Sequence, residues 1–281
     1  MSMQWFVRRL WLAALVAAGA GAASAATPVK IYIVTDLEGI SGVFQFAQTR
    51  EPHTPLNEKA REYFMGDVAA VVQGLRRAGA SEILVLDGHG SQTVVPDLMA
   101  PGAKYITGLP RPEVLSGLDR TCSGMILLGY HAMMGTPDGV LNHTQSSKSE
   151  NRYWYNGVES GELAQCAAIA GHFGVPPIMV TGDEATCREA RKFFGPSCVT
   201  VAVKRGIARE AAELYPFAET RKALFEGAKR AVAAIPNCKP YRIELPIKAK
   251  KQYLVFEKLG SPPKLVTKEG MIQDALHILD F

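Results

Sequence analysis

Apolar and polar positions along this chain switch between two rhythms. Val29 to Thr35 is a near-continuous apolar run rich in β-branched residues, and it ends at Asp36. A strand buried on both faces of a parallel sheet reads this way, because both sets of alternating side chains must be apolar. Asn57 to Ala78 then takes a helical period, with Tyr63, Phe64, Val68, Val71, Val72 and Leu75 on one broad side and Gly79 as its stop. Glu82 to Leu86 predicts a second strand, closed by Asp87-Gly88-His89-Gly90, and Gly124 to Gly129 a third, closed by Tyr130-His131. Val158 to Phe173 predicts a helix. Pro176-Pro177 and a fourth strand, Ile178 to Thr181, follow, and Asp183 caps a short helix. Strands alternating with helices predict an α/β fold, a mostly parallel doubly wound sheet with helices on both faces.

After about Val199 the rhythm changes. Helical segments (Glu210 to Leu214, Glu219 to Ala234) precede two strand-like runs, Tyr241 to Ile247 and Gln252 to Glu257. The basic stretch Lys248 to Lys251 between them reads as a solvated hairpin. A last helix is expected to start near Lys268. The division predicted is a catalytic α/β domain over residues 28–199 and a smaller C-terminal α+β domain over 200–281.

The N-terminus follows neither rhythm. Arg8 and Arg9 form a basic start, Leu10 to Ala18 an apolar centre, and Ala23-Ser24-Ala25 a small-x-small cleavage site. Residues 1–25 read as a secretory signal peptide, since the apolar stretch falls short of the roughly 20 residues that span a bilayer. Export, to a bacterial periplasm, and no stable membrane span after cleavage are the expectations. Without its two arginines the leader takes the formal charge of the 281-residue chain from +4 to +2. That is too little to argue for nucleic acid, and no basic run carries interleaved aromatics. The 5 cysteines have no CxxC spacing, which excludes the common thiolate metal sites. Cys187 and Cys198 are spaced to pair around a helix, while Cys122 and Cys166 read as buried small hydrophobes.

Chemistry gathers where the predicted strands end. Ligands of open α/β sheets bind outside the carboxyl ends of the strands. Asp36 and Glu38 close the first strand, His89 follows the second and His131 the third. Carboxylates and neutral imidazoles together suit Zn²⁺ and neighbouring divalent ions. Asp36 and Glu38 stand two apart and face the same side of an extended chain, and Gly39 lets the chain turn away behind them. His143, in the loop Gly135 to Thr144, is either an exposed loop histidine or a further member of the set. Glu162 sits in an Ala-rich segment. It is either at an exposed edge or buried with a partner such as a metal. Tyr130, Tyr153, Trp154 and Tyr155 either wall a small pocket or pack in the core.

The segments Thr35-Asp36-Leu37-Glu38-Gly39, Asp87-Gly88-His89, Leu128-Gly129-Tyr130-His131, Thr136-Pro137 to His143 and Gly161-Glu162-Leu163 resemble the D-aminopeptidase family, the M55 metallopeptidases. The likeness spans the chain beyond the leader and weakens after about Val199. It departs at Val34, where the family motif has Ser, and in a one-residue lengthening through Asp138. The resemblance implies two zinc ions per subunit held by Asp36, Glu38, His89, His131 and Glu162, with His143 as the catalytic residue, described in the family as a nucleophile. Five side chains serve two four-coordinate metals only if one carboxylate bridges, and Asp36, fixed at the strand end, is the expected bridge. Removal of an N-terminal D-residue such as D-Ala from short peptides is the implied reaction. His143 then acts as oxyanion donor or general acid/base. A homo-oligomer is also implied, the family's form being a decameric ring.

Two other readings compete. Ile31 to Gly42 imitates the first motif of haloacid-dehalogenase-like phosphatases, with Asp36 attacking phosphate, but that leaves His89, His131, His143 and Glu162 without roles. A non-catalytic periplasmic peptide- or zinc-binding protein would bind without turnover.

Overall fold

The computed structural model describes residues 28–90, 92–257 and 262–281. The expected leader, residues 1–25, lies outside the described residues. In chain order the elements are β1 (Lys30–Thr35), α1 (Pro55–Arg77), β2 (Glu82–Asp87), β3 (Lys104–Ile106), β4 (Gly124–Leu128), β5 (Arg152–Tyr155), β6 (Val158–Ser160), α2 (Glu162–His172), β7 (Pro177–Asp183), α3 (Glu184–Phe194), β8 (Val199–Ala208), β9 (Ala211–Leu214), α4 (Phe217–Ala234), β10 (Ile247–Val255) and β11 (Lys264–Ile272).

Successive side chains of a strand point to opposite faces. In β1, Ile31 and Ile33 enter one core with Phe64, Val68, Val71 and Leu75 of α1 and Leu224, Ala228 and Ala231 of α4. Tyr32 and Val34 enter the other, with Leu163 and Ala167 of α2, Tyr153 and Tyr155 of β5, and Ile247 and Ala249 of β10. Both faces of the strand are thus covered, which is what its unbroken apolar run required.

The main sheet has the order β3-β2-β1-β4-β7-β8-β9, and a second sheet the order β11-β10-β5-β6. Contacts along the first run parallel from β3 to β8, and β9 returns antiparallel. The second sheet is antiparallel throughout. β1 pairs with β2 on one side and β4 on the other. Chain order therefore reverses at β1, and the carboxyl ends of β1, β2 and β4 border the switch-point crevice where open α/β sheets bind ligands.

The structure departs from expectation toward the C-terminus. The sheets do not divide at residue 199: β8 and β9 extend the main sheet, α4 packs on α1, and β5 and β6 belong to the second sheet. Glu210 to Leu214 holds β9 rather than a helix. A segment so short cannot repay helix nucleation, and pairing with β8 wins. Lys248 to Lys251 lies inside β10, and no strand forms over 241–246. Lys268 sits within β11, which pairs with β10 from Val255↔Lys264 to Ile247↔Ile272. Most side chains of β11 are exposed, so little apolar alternation marks it as a strand. The predicted helix from Val158 starts only at Glu162, after β6. All five cysteines are free, Cys187 and Cys198 included.

Candidate metal centre

The chain leaving β1 is bonded to the chain leaving β4. The Asp36 amide donates to the Leu128 carbonyl at 2.8 Å and the Gly39 amide to the Gly129 carbonyl at 2.7 Å. A Cβ at Gly39 would stand 1.8 Å from the Tyr130 carbonyl oxygen. The chain turns at Glu38-Gly39 as expected from the sequence, and this close approach is what requires glycine there. β7 fixes the second strand end: Thr181 Oγ1 accepts the Gly129 amide at 2.8 Å and its carbonyl the Tyr130 amide at 3.0 Å. The loops carrying Asp36 and His131 are therefore held against each other by backbone.

This brings the predicted residues together. His89 Nδ1 donates to Asp36 Oδ1 at 2.9 Å and lies 3.1 Å from Glu38 Oε2. His131 Nε2 is 3.3 Å from Asp36 Oδ2 and 3.5 Å from Glu162 Oε1. His143 Nε2 is 3.8 Å from the same Glu162 oxygen. The two oxygens of Asp36 thus face different imidazoles. His143 is buried, not an exposed loop residue, and its ring stacks on that of His131 with centroids 3.9 Å apart. Glu162 opens α2, where the helix N-terminus favours a carboxylate. It also accepts the Gln145 amide at 2.6 Å. Leu141 and Gln145 flank His143 at φ 53° and 62°, a left-handed backbone uncommon outside glycine, so this loop is held in shape against a local cost.

Each imidazole is tied from behind. His89 Nε2 donates to the Thr49 carbonyl at 3.0 Å, His131 Nδ1 to Ala132 at 3.0 Å and His143 Nδ1 to Leu141 at 2.8 Å. Metal-binding histidines are oriented by this kind of bond, which turns the other nitrogen toward the ion. The front atoms meet the complementary test. Asp36 Oδ2, Glu38 Oε2 and His131 Nε2 are buried and lie at ion-pair distance from charged neighbours, but none makes a hydrogen bond of good geometry. Buried polar atoms are costly in that state, and a divalent cation satisfies all three. Ligand atoms of Asp36, Glu38 and His131 form one group within 4.8 Å, and those of His131, His143 and Glu162 form another. The residues fit zinc.

Charge within the cluster is strongly coupled. Burial opposes the Glu38 carboxylate, yet His89 holds its pKa well below the usual range. Burial likewise opposes Glu162, which His131 and His143 bring down to about 2. His89 and His131 are desolvated, but Glu38 and Asp36 around the first and Glu162 and Asp36 around the second raise both well above an ordinary histidine. His143 moves the other way, lowered by burial and by the neighbouring His131.

Sequence reasoning missed the residue that anchors the acid pair. Lys204 of β8 is fully buried, and its ammonium donates to the carbonyls of Glu38 (2.6 Å), Ile40 (3.0 Å) and Val43. Burial brings its pKa down to about 8, against the pull of Asp183, Glu38 and Asp67. None of the four aromatics lines the cleft beside His89. Tyr130 and Tyr155 are core residues bonded to Cys166 and Gln165. Tyr153 donates to Gln145 at 2.6 Å, and Trp154 lies under Lys250.

Known proteins are similar to this chain over most of its length. A family model described as Peptidase_M55, D-aminopeptidase, matches residues 29–255. A D-aminopeptidase of Bacillus subtilis (strain 168) is 31% identical over 216 residues, covering 75% of this chain and 77% of its own. A solved structure, the Zn-dependent D-aminopeptidase DppA from Bacillus subtilis, a self-compartmentalizing protease, superposes with a TM-score of 0.81 at 26% identity, covering 90% of this chain and 94% of that one. These matches displace the phosphatase and non-catalytic readings: the chain is a metallo-aminopeptidase and belongs to the M55 D-aminopeptidase family.

Proposed function

We propose that this protein removes N-terminal D-amino acids, such as D-Ala, from short peptides at a centre of two zinc ions. The observation that carries the reading is Asp36, whose two oxygens turn to His89 on one side and His131 on the other. Asp36, Glu38, His89, His131 and Glu162 would hold the ions, with Asp36 placed between the two imidazoles. When bound, zinc in such a site supplies the Lewis acidity that makes water a nucleophile near neutral pH and polarises the scissile carbonyl.

His143 is assigned the proton work. Its Nδ1 hydrogen goes to the Leu141 carbonyl, so the neutral ring presents the Nε2 lone pair to the site. Its lowered pKa keeps it in that form at neutral pH. Nε2 takes the proton of the attacking water and returns it to the leaving amine. Between these events the imidazolium stabilises the negative charge of the tetrahedral intermediate. The buried Asp36, Glu38 and His131 and the fixed loop keep the reacting groups in place.

We also propose that the chain is exported after cleavage behind Ala25 and assembles with copies of itself. Exposed Phe256, Leu265 and Met271 on and beside the β10–β11 hairpin support assembly. N-terminal sequencing of the exported protein tests the first, and a retained Met1 contradicts it. For the reaction, the zinc-loaded protein should hydrolyse D-alanyl p-nitroanilide well ahead of the L-isomer. Equal rates, or preference for the L-isomer, overturn the D-peptide assignment.

A further inference from the structure

A cleft of about 220 Å³ opens beside the metal centre, with Leu37, Thr49, Arg50, Arg61 and His89 in its wall. It is smaller than the roughly 300–1,000 Å³ of pockets for drug-sized ligands, and so suits a single residue. Its two arginines differ. Arg61 is neutralised by Glu58, whose carboxylate oxygens each accept from it at 2.9 Å. The Arg50 guanidinium is held by neutral groups instead. Its Nε donates to Ser147 Oγ at 2.8 Å and Nη2 to the Ser147 carbonyl at 2.6 Å, and it lies 3.4 Å over the Phe46 ring.

Among the described residues, no carboxylate lies within ion-pair distance of Arg50. Glu210 and Glu38 act on it only from further off, the Glu210 carboxylate accepting the Phe46 amide at 2.7 Å. The second guanidinium over the same ring, that of Arg209, is paired with Glu150 at 3.1 Å. A guanidinium has five donors, and the bonds to Ser147 use two. Phe46 in turn meets the His143 ring edge-on at 6.3 Å. A half-buried cation is thus fixed rigidly, with no carboxylate in direct contact, in the wall shared with a metal-facing histidine. Such a group is costly unless an anion completes it, and the planar fork matches a carboxylate.

We propose that Arg50 forms a carboxylate subsite for the C-terminal α-carboxylate of a dipeptide whose N-terminal residue lies at the metal centre. The inference rests on the peptidase reading and narrows it from short peptides to those ending one residue past the scissile bond. The test compares D-alanyl-D-alanine, its C-terminal amide, and D-alanyl-D-isoglutamine, whose only carboxylate is on the side chain. Wild-type kcat/KM should favour the free acid over the amide by about 10- to 100-fold, mostly through KM, as for loss of a charge-assisted pair. Arg50→Gln should bring that ratio close to one with unchanged zinc content, and Arg50→Lys should retain part of it. A wild-type enzyme indifferent to amidation, or a ratio unchanged in both variants, overturns the subsite while leaving the peptidase reading intact. A preference that follows the side-chain carboxylate instead overturns the C-terminal assignment. Cleavage of none of the three by zinc-loaded protein overturns the peptidase reading, and the subsite falls with it.

Discussion

His131 and His143 stack with ring centroids 3.9 Å apart and planes inclined by 15°, and both nitrogens at their front face Glu162 Oε1. The pair is electrostatically split, since His131 is raised well above the usual histidine range and His143 is lowered. Two like groups with opposite tendencies suit different tasks, one as ligand and one as base. His143→Ala should therefore keep wild-type zinc content and lose about 10²- to 10⁴-fold in kcat, the usual range for a general acid/base. Zinc analysis beside steady-state kinetics checks this. Loss of zinc from the variant would make His143 a ligand.

Proton and metal should compete for the cluster. In metal-free protein, His89 and His131 have folded pKa values above the ordinary 6.5. Their contribution to stability is fully present below about pH 6.5 and is lost as pH rises through the folded values. Glu38 and Glu162 are depressed from 4.5, Glu162 to about 2, so their contribution is present above about pH 4.5 and is lost as pH falls through the folded values. Chelator-treated protein should be most stable between these limits. Zinc binding displaces the histidine protons, so its stabilisation should grow as pH rises. Thermal unfolding with and without zinc from pH 4 to 9 measures both. A zinc-induced gain that shrinks with rising pH contradicts the account.

Lys204 ties the acid-bearing loop to β8 from beneath. Lys204→Met keeps much of the volume but leaves the carbonyls of Glu38 and Val43 without their donor, while that of Ile40 keeps the Val43 amide. The expected loss of stability is on the order of 3 kcal/mol, since each buried acceptor left unpaired costs about 1–3 kcal/mol. Zinc affinity should fall as well, because Glu38 loses its anchor. Urea unfolding and zinc titration check the two effects, and a variant with unchanged zinc affinity would confine Lys204 to the fold.

The strand ends were legible because β1, β2 and β4 are buried and their apolar runs stop at the residues that face the crevice. Asp36, Glu38, His89 and His131 could be read directly from those stops. Resemblance to the family added roles for Glu162 and His143, whose burial depends on a loop fold that local pattern does not encode. Lys204 was hidden for the opposite reason. A lysine in Val203-Lys204-Arg205 reads as solvated, and only three carbonyls from a distant loop explain its burial. The second sheet left one usable signal. Asn156 and Gly157 adopt φ 49° and 83°, and an Asn-Gly pair after an aromatic run announces the β5–β6 hairpin. The Ala-rich stretch that follows becomes helical only from Glu162.

The most direct test titrates zinc into chelator-treated protein while following D-alanyl p-nitroanilide hydrolysis. If Asp36 bridges two ions, activity should be absent without zinc and reach its plateau at two equivalents per chain, and Asp36→Ala should bind neither tightly. Full activity in zinc-free protein, or a plateau at one equivalent, would contradict the dinuclear centre.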